Sequence, residues 1–338
     1  MMRRVLVPAV IDPAGPVLGG CLHLVQGKTM GTTWSVRFVG PADADLAARA
    51  RGIQATLDAV VAEMSTWEAG SDVSRFNRAP AGHWQTVPPD FFEVLSCGLE
   101  VARRSGGACD PTVGSVVNLW GFGPRGRDDP AGFRAPTDAE LLAARETSGW
   151  TRLEVGAAAR RVRQPGGLSL DFSGIAKGFG VDQVARHLLH LGVRDHLVEV
   201  GGELRGAGVK PDGSPWWVDL EVPPAFATVL EPVRIALHGL SVATSGDYRR
   251  YHDQDGVRYA HTVDPRDGRP VRHGVMSVSV LHRDAMWADA WSTALTVLGA
   301  KAGLPVADAE GLAAHWIEQG ADGRPVERWS RAFEELMT

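Results

Sequence analysis

Asp289 and Thr293 stand one helical turn apart in Ala288-Asp289-Ala290-Trp291-Ser292-Thr293-Ala294. On one helix face they present a carboxylate and a hydroxyl. With a main-chain carbonyl these are hard oxygen donors, suited to Mg²⁺ held partly by substrate phosphates. The same pair also serves as a helix cap and a back-bonded hydroxyl, its commoner use in isolation. A second chemical segment is Leu170-Asp171-Phe172-Ser173-Gly174-Ile175-Ala176-Lys177-Gly178-Phe179-Gly180-Val181-Asp182. It reads as strand, glycine turn and helix, and a helix start offers N–H groups and the positive dipole end to a phosphate. Lys177 adds a mobile positive charge and is one of only four lysines, with Lys28, Lys210 and Lys301. Equally, Gly174 and Gly178 allow this helix to pack closely on a sheet, and the spacing matches neither the Walker A loop nor GxGxxG.

Two further segments carry chemical residue types. Ser241-Val242-Ala243-Thr244-Ser245-Gly246-Asp247-Tyr248 is followed by Tyr259-Ala260-His261-Thr262-Val263-Asp264-Pro265-Arg266-Asp267-Gly268. Asp264-Pro265 with Gly268 is turn chemistry. His261, just before that turn, is the histidine placed for proton transfer, while the other ten are scattered. Cys109-Asp110-Pro111-Thr112-Val113-Gly114 leads to Asn118-Leu119-Trp120-Gly121-Phe122-Gly123-Pro124, whose aromatics and glycines suit either a wall against a flat ring or a packed corner.

The elements that must position these groups follow from periodicity. Alternation predicts a strand over Thr33 to Val39, and Leu46, Ile53, Leu57, Val60, Val61 and Met64 recur at helical spacing. Helices are predicted over Phe91 to Arg104, after a Thr137–Glu140 capping box, from about Gly174 to Leu191, and over Ala288 to Leu298 with a stop at Gly299. Glu310 to Gln319 and Glu327 to Met337 are read as terminal helices, and Gly121 to Ala135 as a surface loop. Short strands are predicted over Arg152 to Val155, Arg161 to Arg163, Leu168 to Phe172, His196 to Val200, Trp216 to Val222, Arg234 to Leu237, Ser241 to Thr244 and Val275 to Leu281. The mixture lacks regular βαβ alternation, so the fold class is α+β, a single compact two-lobed body of mixed and antiparallel sheets flanked by helices.

Composition narrows the classes. The 338 residues are 44% hydrophobic and 22% charged, enough for a substantial core. A net charge of -5 argues against broad nucleic-acid binding. Three cysteines without CxxC spacing argue against a disulfide framework or a cysteine zinc site. No apolar run is long enough for a membrane span. Residues 1–24 read as an irregular leader ahead of one domain over 25–338. Arg3, Arg4 and Leu18-Gly19-Gly20-Cys21 resemble a lipoprotein signal, but Asp12, Pro13 and Pro16 interrupt its apolar run. The expected location is the cytoplasm, with a periplasmic lipoprotein anchored through Cys21 as the alternative.

These four segments, in this order, resemble the ApbE family, the FAD:protein FMN transferases. Met30-Gly31-Thr32, Met64-Ser65-Thr66-Trp67, Ser74-Arg75-Phe76-Asn77 and Val200-Gly201-Gly202-Glu203 extend the resemblance, which spans about Met30 to Gly299. It implies an ApbE-like, T-fold-like body and a flavin transferase domain over 25–338. The implied reaction is Mg²⁺-dependent (Mn²⁺ possible) transfer of FMN from FAD to a threonine or serine hydroxyl of an acceptor flavoprotein, releasing AMP. By position, Met30, Trp67, Ala108, Cys109, Asp110, Asp171, Lys177 and Val263 fall where the family binds FAD. Gly174 and Ser292 (through carbonyls), Asp289 and Thr293 fall where it binds metal. Trp67 stands where relatives often have Tyr, which keeps stacking but removes a phenol hydrogen bond. His261 is the candidate to accept the hydroxyl proton, and Asp289 acting through water is the rival. An FAD pyrophosphatase giving FMN and AMP needs the same cradle, and a non-catalytic FAD-binding protein is the alternative from another class.

Overall fold

In the computed structural model, residues 4–8, 19–124, 133–247 and 250–337 are described. The chain runs through Val5–Leu6 (β1), Cys21–Thr29 (β2), Thr32–Gly40 (β3), Leu46–Met64 (α1), Asp72–Arg78 (α2), Trp84–Thr86 (β4), Pro89–Arg104 (α3), Gly114–Leu119 (α4) and Asp138–Glu146 (α5). Then follow Glu154–Gly156 (β5), Arg161–Arg163 (β6), Ala176–His190 (α6), His196–Val200 (β7), Glu203–Ala207 (β8), Trp216–Asp219 (β9), Arg234–Leu237 (β10) and Leu240–Gly246 (β11). The last third holds Tyr251–Gln254 (β12), Val257–Ala260 (β13), Val263–Asp264 (β14), Arg269–Pro270 (β15), Val275–His282 (β16), Ala285–Ala309 (α7), Ala313–Gln319 (β17), Pro325–Trp329 (β18) and Arg331–Leu336 (α8).

An eight-stranded antiparallel sheet, in the order β18-β17-β16-β11-β8-β7-β3-β2, is the frame. Its two faces separate by the period of two. Val198 and Val200 pack with Ile53, Leu57, Val181 and Val184 of α1 and α6, and Val278 and Val280 pack with α3 and α7. Leu197, Val242 and Leu281 point the other way, against β9, β10, β1 and α8. A smaller lobe of α4, α5 and the turns around β14 has its own core of Val116, Trp120, Leu141 and Val263.

The helices around the site match their expected spans. The Thr137 capping box is present in full, and α7 breaks at Gly299 (φ 68°) before resuming to Ala309. Asp284 makes no side-chain cap at the start of α7; the Asp182 carboxylate of α6 accepts from Ala285 N and Met286 N instead, at 3.0 and 2.9 Å.

Four expectations change. The segment read as a helix over 310–319 is strand β17, because Gly311 at positive φ ends α7 and the next residues pair with strands on both sides. Over 327–337, β18 gives way to α8 at Ser330, whose hydroxyl accepts from Phe333 N. Over 168–172 there is no strand, only a bridge between Ser169 and Val113. The leader boundary at residue 24 falls inside β2, where Cys21 to Leu24 pair with Gly40 to Arg37, and Val5–Leu6 pairs with Arg234–Ile235. Within the loop expected over 121–135, residues 125–132 lie outside the described ones.

Candidate active site

The starts of α6 and α7 meet at an angle that glycine permits. A Cβ on Gly178 would fall 2.2 Å from the Ala285 carbonyl oxygen and 2.8 Å from Asp289 Cβ, so only glycine fits there. The close approach lets Gly178 N donate to Asp289 Oδ2 at 2.9 Å, across 111 residues of sequence. Asp289 is therefore not a cap of its own helix; it is the anion at the N-terminus of the neighbouring one. Ile175 N and Ala176 N bond to the Phe172 carbonyl. These donors of the glycine turn, expected for a phosphate, are thus taken by the chain itself.

Thr293 faces Gly174 closely: a Cβ there would lie 2.8 Å from Thr293 Oγ1. Ser245, at the end of β11, reaches both Ser292 Oγ (2.8 Å) and Thr293 Oγ1 (3.4 Å). Ser292 Oγ donates to the Asp289 carbonyl, and the Ser292 carbonyl accepts from Thr296 Oγ1 at 2.8 Å. Lys177, in the first turn of α6, pairs with Glu203, which opens β8 just after the Gly201–Gly202 turn. Burial pushes the Asp289 and Glu203 carboxyls upward, opposed in both by the Lys177 charge.

The other residues expected to line a pocket take the following places. Met30 sits at positive φ (48°) in the β2–β3 turn, with its methyl 3.3 Å from a Cβ placed on Gly180. Ala108 and Cys109 are buried, and the Asp289 charge acts on the Cys109 thiol. Asp110 turns inward: it accepts from Thr112 N, Thr112 Oγ1 and Trp150 N, with its carboxyl raised by burial. Asp171 caps its own turn by accepting from Ser173 N. Trp67 is 46% exposed, the exposure of a stacking surface rather than of a core residue.

Helix α2 explains the Ser74-Arg75-Phe76-Asn77 pattern. Asn77 exchanges two hydrogen bonds with the Leu170 backbone, next to Asp171, while Ser74 Oγ donates to the Ser65 and Thr66 carbonyls beside Trp67. One helix thereby holds two expected pocket segments.

His261 and Val263 belong to the smaller lobe. Val263 is buried in its core, and the His261 ring lies edge-on to Phe122 at 6.2 Å. His261 Nδ1 is 3.1 Å from the Arg250 carbonyl. A carbonyl only accepts, so Nδ1 carries a hydrogen, and in the neutral ring the lone pair is on Nε2. The connection back to the cation cluster is Asp247: two residues after Ser245, its carboxyl is bonded by Thr262, the neighbour of His261. Burial pushes the Asp247 carboxyl up to about 7.

Comparison with known proteins identifies the family. The sequence signature of the ApbE family matches residues 30–316. The chain belongs to the ApbE family. It is 38% identical over 314 residues to the FAD:protein FMN transferase of Vibrio cholerae serotype O1, covering 91% of this chain and 92% of that protein. The Haemophilus influenzae FAD:protein FMN transferase is 37% identical over 324 residues, covering 92% and 90%. Among solved ApbE structures, the apo flavinyl transferase ApbE of Pseudomonas stutzeri superposes with a TM-score of 0.85 at 38% identity, covering 94% of this chain and 97% of that one.

A divalent cation fits the donors present. Among the described residues there is no group of three or more His, Cys, Asp or Glu side chains that could hold a metal ion by themselves, so hydroxyls and carbonyls would have to share the ligation. Burial raises the Cys109 thiol to about 12 and Cys97 higher, so neither supplies a soft thiolate. The donors around Asp289 are a carboxylate, hydroxyls and carbonyls, and the buried Glu203 Oε2 has no hydrogen-bond partner. That is a hard-cation environment. Sequence reasoning missed Ser245 and Asp247 as members of this centre, although both lie in a segment it singled out. Asp182 closes the other singled-out segment, but no role was read for it there. No helix among the described residues is long and apolar enough to cross a membrane.

Proposed function

We propose that this chain transfers FMN from FAD to a threonine or serine hydroxyl of an acceptor protein, releasing AMP, with Mg²⁺ (or Mn²⁺) at Asp289. The observation that carries the reading is the meeting of Gly174–Gly178 with Asp289–Thr293 in a chain of the ApbE family. Asp289 and Thr293 side chains and the Gly174 carbonyl would hold the cation; Ser292 would contribute least, because its carbonyl already accepts from Thr296. When bound, the cation neutralises charge on the non-bridging oxygens of the diphosphate.

The residues divide the remaining work. With the first-turn donors of α6 engaged by Asp289 and Phe172, Lys177 is the chain's own positive charge for the phosphates. The acceptor oxygen bonds to the FMN phosphorus, the bond from that phosphorus to the bridging oxygen breaks, and AMP departs with that oxygen. The hydroxyl proton passes to His261 Nε2. Met30, Trp67, the 108–110 turn, Asp171 and Val263 would line the FAD pocket. Cytoplasmic residence rests on the interrupted apolar run near Asp12, Pro13 and Pro16, and the mass of the mature N-terminus separates it from lipidation at Cys21.

The test is incubation with FAD, Mg²⁺ and an acceptor protein bearing a suitable threonine, followed by mass measurement. The acceptor is expected to gain one FMN while AMP appears in equal amount. AMP with no covalent flavin would make the chain a pyrophosphatase, and no AMP at all would leave a binding protein.

A further inference from the structure

Lys177 acts on two buried carboxylates. Its ammonium pairs with Glu203, whose side chain is only 2% exposed, and its charge opposes the burial that raises the Asp289 carboxyl. The placement is built by the turn before β8. Gly201 has φ 63°, and a Cβ there would stand 3.2 Å from Lys177 Cδ, so the turn backbone lies along the lysine stem. Glu203 spends one oxygen on the ammonium and leaves Oε2 buried without a partner. A carboxylate kept only for architecture would be hydrogen-bonded at both oxygens, because burying it otherwise is costly.

We propose that Glu203 is a positioning residue that draws the Lys177 ammonium away from Asp289 and so keeps the Asp289 carboxylate open to a divalent cation. The inference rests on the metal reading above. Lys177 precedes Gly178, whose N–H bonds Asp289, so without its Glu203 partner the ammonium is released beside the Asp289 carboxyl. Removing Lys177 as well takes that competing cation away.

The experiment measures Mn²⁺ binding to the full chain without FAD, by loss of the free-ion electron paramagnetic resonance signal. Glu203→Gln is expected to weaken binding about 10–100-fold, the usual scale for losing a group that supports a metal ligand. The double variant Glu203→Gln/Lys177→Met should regain most of that loss, although it turns over FAD poorly. Wild-type affinity in Glu203→Gln, or a double variant as weak as the single one, overturns the proposal. If Glu203→Gln fails to fold, Lys177→Met alone decides: tighter binding than wild type supports the proposal, and equal or weaker binding overturns it. Asp289→Asn serves as the control for the underlying reading. If it binds Mn²⁺ like wild type, the metal reading falls and takes this inference with it, whereas the other failures leave that reading standing.

Discussion

The Asp289 centre and the His261 lobe are built differently. Around Asp289, contacts join segments more than a hundred residues apart, through a buried hydrogen bond to Gly178 and a glycine contact that tolerates no side chain. Around His261 the polar contacts are mostly exposed, even where they join distant segments, as Arg269 does with Asp138 across 131 residues. His261 bonds the Arg250 carbonyl eleven residues away, Arg266 pairs with Asp264, and the exposed Arg269 pairs with Asp138. Exposed bonds open at small cost, whereas a packed helix crossing opens only with the core. The difference teaches a division of labour. On the function proposed above, the part that would meet the cation is set before substrate arrives, and the part that would admit the acceptor hydroxyl is held by exposed links.

The contrast can be broken most decisively at Asp289. Asp289→Ala is expected to lower turnover of FAD by about 10³-fold or more, the scale of several kcal/mol of lost charge stabilisation. The circular dichroism spectrum should remain that of a folded chain; normal turnover would remove the carboxylate from the mechanism. His261→Ala should slow transfer by about 10²-fold, as for loss of a general base, with FAD affinity retained by fluorescence titration. Unchanged transfer would assign the proton elsewhere.

Asp247 tests the joint between the regions. Its folded carboxyl lies near 7, above its ordinary 3.8, so the folded state holds the proton more tightly than the unfolded chain. The stabilisation is therefore complete below about pH 4 and is lost as pH rises through 7. Between pH 4 and 8 the wild type should lose up to about 4 kcal/mol relative to Asp247→Asn in urea denaturation. Parallel pH profiles would show that Asp247 does not carry this charge. The smallest effect is expected at the periphery: Arg269→Ala removes an exposed pair and should leave the melting temperature unchanged within error. A clear drop would mean that the outer lobe is tied down more firmly than its exposure implies.

Much of this was legible beforehand. Helical periodicity located α1, α3 and α6, and the glycine at 299 marked the break in α7. The ordered motifs led to the family and to the two segments that meet at Gly178 and Asp289. The C-terminal region was misread because Ala313 to Ile317 are all buried, so the run shows neither period. Its strand identity depends on partners on both sides, which no local pattern contains. The partner of the α6 start was hidden for a related reason: the helix start lies where the pattern put it, but Asp289, which Gly178 N bonds, arrives from distant chain.

Residue types and local spacing determined which groups were available: a carboxylate and hydroxyl on one helix face, a lysine at a helix start, a histidine before a turn. Those are consequences of backbone geometry over a few residues. Only the tertiary structure decided that Asp182 would cap α7, that Glu203 would hold Lys177, and that Ser245 would meet Thr293. The reason is that burial sets the strength and partners of a polar group, and burial is a property of the packed chain rather than of any one segment.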